Sequence, residues 1–144
     1  MASKRNSLTL YVLTAVVSLV GLADSIYLTV EHLSGRSVRC TIISGCSEVL
    51  SSPYATVRDV PLAALGASAY FVVFSLATLA AFKYEIAGKL LLPVVALMLL
   101  TSIWLFYLQA FVIRHFCQFC LLSALVTVTL SILVFLANRS NRAK

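Results

Sequence analysis

The sequence predicts an all-α integral membrane protein: a four-transmembrane-helix bundle with a long exoplasmic loop between helices 1 and 2. Three observations carry this. The chain is 61% hydrophobic and only 11% charged, whereas soluble domains are close to half apolar and about a quarter charged. Its apolar residues gather into four runs, at roughly 8–30, 61–82, 90–113 and 117–137, each near the ~20 residues a helix needs to cross a hydrocarbon core. The basic residues fall mostly at the ends of those runs. Four spans and the loop at 31–60 use nearly all 144 residues, so a single domain over 1–144 is expected, without repeats or low-complexity tracts.

The first run follows Lys4-Arg5 and contains Gly21-Leu22-Ala23, a pattern shared with cleavable signal peptides. The run continues through Ile26, Tyr27, Leu28 and Val30, which suits a retained span better. Asp24 is the one full charge inside a run. Such a residue is costly in a membrane and should face the bundle or water, as an interfacial structural residue or as a proton donor. In the loop, "SEVLSSPYATVRDVP" is either an ordered connection or a short amphipathic piece on the bundle mouth, using Val49, Leu50, Tyr54 and Val57. Pro61 suits the first turn of the second span. The small residues Ala63, Ala64, Gly66, Ala67, Ser68 and Ala69 allow close helix packing or room for a flat ring.

With four spans, both termini share a side. That side carries Lys4, Arg5, Lys83, Lys89, Arg139, Arg142 and Lys144 against Glu85. The other carries Arg36, Arg39, Arg58 and Arg114 against Glu31, Glu48 and Asp59. The basic excess marks the cytoplasm. The expectation is a multi-pass protein of the plasma or inner membrane, with both termini cytoplasmic and all four cysteines facing the periplasm or cell exterior, where disulfides persist. The basic residues are accounted for by span ends, so no nucleic-acid partner is expected.

Cys117 and Cys120 form a CxxC in "RHFCQFCLLS", at the start of the last span. Positions i and i+3 share a helix face. Unpaired N–H groups and the macrodipole favour negative charge there, as do Arg114 and His115. Thiolate, the nucleophile of thiol–disulfide exchange, is therefore favoured, most at Cys117. The plainer reading is two small buried apolar residues. Cys40 and Cys46 enclose "TIISG", whose Ser44-Gly45 permits a tight disulfide loop, either a static staple or an exchange partner for the CxxC. A zinc site drawing on all four cysteines has only one pair with ligand spacing, and no metal is expected. The pairs together suggest a relay from a soluble thiol protein, through the loop pair and the CxxC, to a lipid-soluble two-electron carrier. Quinones meet that description. Trp104 and Tyr107 are then candidate quinone contacts, with an interfacial aromatic belt, shared with Phe106 and Phe111, as the plainer reading. Gln109 would bond a quinone carbonyl or another helix. His32 and His115 would relay protons or simply sit at the interface.

"CTIISGCSEVLSSPYATVRDVPLAALG", two apolar spans and "FCQFCLLS" together resemble the vitamin K epoxide reductase family, especially its microbial homologues, over roughly Gly21 to Ala137. The DsbB family does similar work in a four-helix bundle, but carries its CxxC in the first exoplasmic loop. The resemblance implies a membrane thiol–quinone oxidoreductase that supports disulfide bond formation. In it, Cys117 and Cys120 would be the active-site disulfide beside a quinone (ubiquinone, menaquinone or related). Cys120 would engage the quinone, Cys117 would exchange with Cys46, and Cys40 with the soluble partner. Ser52 matches a family serine near the quinone. The thioredoxin-like domain fused to some microbial members, and their fifth span, do not occur in this sequence, so the expected partner is a separate thioredoxin-fold, DsbA-like protein. Ala124 stands where animal members carry tyrosine, which favours quinone reduction over epoxide reduction. A small four-span transporter or binding protein with static structural disulfides is the rival. Its cysteines would not change redox state.

Overall fold

The computed structural model describes residues 2–143. Four long helices dominate: α1 Ala2–Leu33, α3 Leu62–Ala81, α4 Glu85–Tyr107 and α5 Gln118–Arg142. Each contributes a segment long and apolar enough to cross a membrane. The protein is thus an all-α, multi-pass membrane protein. Between α1 and α3 lie the short α2 (Cys46–Leu50), a 3-10 turn at Pro53–Ala55, and a minimal hairpin of β1 (Thr56–Val57) and β2 (Val60–Pro61). Arg58 and Asp59 both have positive φ, 49° and 66°, as a two-residue hairpin turn of the primed type requires.

The helices overrun the apolar runs because caps and helix-compatible polar residues, not hydropathy, set helix ends. In the first turns of α1, Ser7 Oγ and Thr9 Oγ1 donate to the carbonyls of Lys4 and Arg5 at 3.1 and 2.9 Å. The helix stops at Gly35, whose φ of 66° supports a Schellman cap: Gly35 N–H bonds the His32 carbonyl (3.2 Å) and Arg36 N–H the Glu31 carbonyl (3.1 Å). The same motif closes α3 around Lys83, φ 71°, with Tyr84 N–H on the Leu79 carbonyl at 3.1 Å. At its start α4 gains Glu85, and α5 ends on Arg139 and Arg142; both suit the macrodipole. Pro61 stays outside α3 as its N-cap, paired with Thr56. Past Tyr107, α4 widens into a π-helical turn, Leu108–Ile113.

The α1 helix packs on α3 and α5, and α4 packs on the same two, so α1 and α4 occupy one diagonal of the bundle. Asn141 Nδ2 donates to the Tyr11 hydroxyl at 2.7 Å, joining the end of α5 to the start of α1. Apolar packing divides into two clusters. The larger, around Val73, Leu91, Val95, Leu130 and Val134, fills the end near the termini. The smaller, around Leu28, Val38, Cys46, Val49 and Cys117, lies at the other end. Large apolar side chains such as Leu100, Leu125 and Phe135 point outward, as a lipid-facing surface requires.

Tyr70 joins the halves. It is 1% exposed and reaches from α3 to α5. Its hydroxyl donates to the Ser123 carbonyl (2.9 Å) and contacts Ser123 Oγ (2.7 Å) and Thr127 Oγ1 (3.1 Å). The ring lies flat on Gly21 of α1, where a Cβ would overlap it.

Candidate active site

A cavity of about 400 Å³ lies between the two clusters. Its wall is mainly apolar, and its size is that of small-molecule sites. The α1 wall presents Asp24, Leu28 and His32 at i, i+4 and i+8. Opposite, α3 presents Ala63, Gly66 and Ala69, so part of the small-residue surface makes room rather than contact. The loop after α1 closes the mouth with Val49, Leu50, Ser52 and Tyr54. Val57 stays half-exposed, away from the cavity. A flat, largely apolar ring with polar oxygens fits such a space.

The aromatic residues of α4 divide by helical phase. Phe106 and Gln109 line the cavity, on the face that also carries Thr101, Ser102 and Leu105. The expected contacts Trp104 and Tyr107 do not line it. They lie on the opposite face, 52% and 53% exposed, where Tyr107 packs on Phe111 with centroids 5.1 Å apart. They are placed as an interfacial aromatic belt would be. Gln109 is buried, and its Oε1 accepts the Cys117 N–H at 3.1 Å. Ser52 does line the cavity, but its hydroxyl donates to the Val49 carbonyl at 2.7 Å, so in this conformation it offers lone pairs rather than its proton.

All four cysteines meet at the mouth. Cys40 and Cys46 form a disulfide with Cα atoms 5.7 Å apart, while Cys117 and Cys120 are free thiols. Cys46 and Cys117 are 1% and 0% exposed in the smaller cluster, against which Cys40 and Cys120 pack. Of the four, only Cys120 lines the cavity. Cys117 is the N-cap of α5, outside its first turn. The Cys117 thiol is lowered to about 7, chiefly by the hydrogen bond from Cys120. The backbone N–H groups of Phe119 and Cys120 assist, against burial and the charge of Asp24.

Two contacts hold the disulfide loop on the CxxC, and sequence reasoning missed both. Gly45 has φ 133°, and a Cβ there would come within 2.9 Å of the Phe116 carbonyl, so only glycine permits this approach. Gln118, inside the CxxC, accepts the Ile42 N–H on Oε1 (2.9 Å) and donates from Nε2 to Thr41 Oγ1 (3.2 Å). Each such bond contributes about 1 kcal/mol. Gln118→Ala should therefore speed reduction of the Cys40–Cys46 disulfide by a small dithiol up to about thirtyfold. An unchanged rate, measured by thiol alkylation, would show that the clamp does not hold the loop.

A membrane bundle with a free vicinal thiol pair and a second cysteine pair packed on it, beside an apolar cavity, has the features of a membrane thiol oxidoreductase. A family model, "Vitamin K epoxide reductase family", matches residues 12–135. The chain belongs to this family, and so is an oxidoreductase of the membrane thiol–quinone kind.

Proposed function

We propose that the chain is a quinone-dependent, disulfide-generating enzyme. It oxidises the dithiol of a soluble thioredoxin-fold partner, and the electron pair passes through Cys40 and Cys46, then Cys117 and Cys120, to a quinone of the membrane. The observation that carries this is the packing of both cysteine pairs in one buried cluster, with Cys120 on the cavity wall. Cys40 is the more exposed member of the loop pair, which supports it as the atom the partner's thiolate attacks. Cys46 is buried with Cys117, which supports exchange between those two. The cavity lining supports Cys120 as the sulfur that faces the quinone, with Ser52 at the mouth. Ala124, also on the wall, leaves the space a bulkier side chain would fill. The distribution of basic residues supports cytoplasmic termini and cysteines on the opposite side. When bound, the quinone supplies the two-electron, two-proton acceptor. The chain holds the acceptor in a dry cavity, provides the thiolate, and keeps the soluble partner at the surface.

The test is redox mapping in membranes. A thiol-alkylating mass tag is applied with and without reduced partner and a short-chain quinone. The partner should expose thiols at Cys117 and Cys120, and quinone should close them again. Four cysteines that stay blocked throughout would sink the relay and leave the transporter reading. The same measurement has a pH signature. The Cys117 thiol is held below its ordinary value, chiefly by the hydrogen bond from Cys120, so closure should already accelerate with rising pH below the range in which a free thiol ionises. A flat profile would remove Cys117 as the attacking thiolate.

A further inference from the structure

Asp24 places a carboxyl inside the apolar run of α1. It lines the cavity, is 8% exposed, and its Oδ2 is buried without a hydrogen-bond partner. Several other polar groups of the wall are engaged. The Tyr70 hydroxyl is held by Ser123 and Thr127, Gln109 Oε1 by Cys117, and the Ser52 proton by Val49. Asp24 Oδ2 is thus an oxygen of the wall left to bond what enters. The Asp24 charge also reaches the CxxC, where it opposes a thiolate at Cys117. Asp24 and Cys120 line the same cavity, and two negative charges in a poorly hydrated site disfavour each other, so a carboxylate and a CxxC thiolate oppose each other across it.

We propose that Asp24 stores the proton that Cys117 releases and delivers it from Oδ2 to the acceptor when the dithiol is oxidised. This rests on the function proposed above. The loop dithiol reduces the Cys117–Cys120 disulfide and brings two protons. One stays on Cys120 Sγ, the other goes to Asp24, and Cys117 remains a thiolate. On oxidation, Cys117 Sγ bonds to Cys120 Sγ, and the electron pair leaves with the acceptor. One proton follows from Cys120 and one from Asp24, which ends as carboxylate, ready for the next dithiol. Atoms and electrons close over the cycle without another oxidant. The other titratable groups facing this space are His32 of α1, Tyr54 of the loop, Tyr70 of α3 and Cys120 of α5; α4 adds none.

Two measurements test this. In the first, no quinone is added. Infrared difference spectra, reduced minus oxidised cysteines, are taken on wild-type protein with ¹³C-labelled aspartate. A protonated-carboxyl band should appear on reduction, shift with the label, and vanish in Asp24→Asn; exposed Asp59 would survive that change. No aspartate band in the wild type overturns the proposal, whether or not the variant folds. In the second, quinone-driven closure of the CxxC should slow at least ~10²-fold in Asp24→Asn. Reduction of the CxxC by the partner should persist, and Asp24→Glu should restore part of the rate. Closure at the wild-type rate in Asp24→Asn overturns the role of Asp24 alone. A wild-type protein that never closes its CxxC with quinone overturns the parent reading instead.

Discussion

Replacing Cys120 by serine should reduce quinone turnover to background while leaving the loop pair competent to meet its partner. Serine is nearly isosteric, and its O–H can still donate to Cys117 Sγ, so the local packing and the Cys117 thiolate should survive. What is lost is the sulfur on the cavity wall and with it the intramolecular disulfide. Electrons entering at Cys40 then have no exit. With a partner trapped by loss of its second cysteine, a mixed disulfide at Cys40 should accumulate, visible as a higher band on a non-reducing gel and absent after reduction. Normal quinone turnover in Cys120→Ser would sink the assignment of Cys120. Turnover lost without the mixed disulfide would instead place the partner's attack elsewhere.

The second large effect is structural. Gly21→Val should displace Tyr70, because even a Cβ at Gly21 would overlap the tyrosine ring. Overpacking of this kind costs about 1–3 kcal/mol. The displaced hydroxyl would also leave Ser123 and Thr127, bonds worth about 1 kcal/mol each. The temperature of thermal inactivation in detergent or lipid should fall well below that of wild type. Tyr70→Phe keeps the ring and should lose only the hydroxyl's share. Adding Tyr70→Ala to Gly21→Val should recover part of the loss, since contacting residues are not additive. Equal stability of Gly21→Val and wild type would show that the helices slide apart to accept the new side chain.

The membrane spans were legible because a bilayer demands a long apolar run, and such a run survives any error in phase. That the four cysteines come together was legible because their spacing and their places at the ends of apolar runs restrict where they can lie. The aromatic contacts were not. Phe106, Trp104 and Tyr107 are neighbours in sequence, and which one turns inward depends on how α4 is rotated against α3 and α5. Tyr70 lay hidden because its meaning depends on Gly21, 49 positions away in the sequence. Gln118 read as filler between two cysteines, since its partners, Thr41 and Ile42, lie on the distant loop. The CxxC is the instructive case. Helix-end electrostatics pointed to Cys117 and family resemblance to Cys120 for the quinone. The geometry separates two properties that sequence reasoning had merged: the lowered thiol belongs to Cys117 and the place on the cavity wall to Cys120.

The division of the apolar interior into two clusters has a consequence for how the protein opens. Cys46 and Cys117 are fully enclosed, so a soluble protein cannot engage both loop sulfurs without some loss of cover. The loop part of that cover is held by Val38, Cys46 and Val49 and by the Gln118 clamp. The bundle core beyond the cavity shares none of its buried residues. Local stability follows such clusters. The cap is therefore free to open by subglobal fluctuation, at a fraction of the free energy of unfolding, while the membrane-embedded half stays native beneath it.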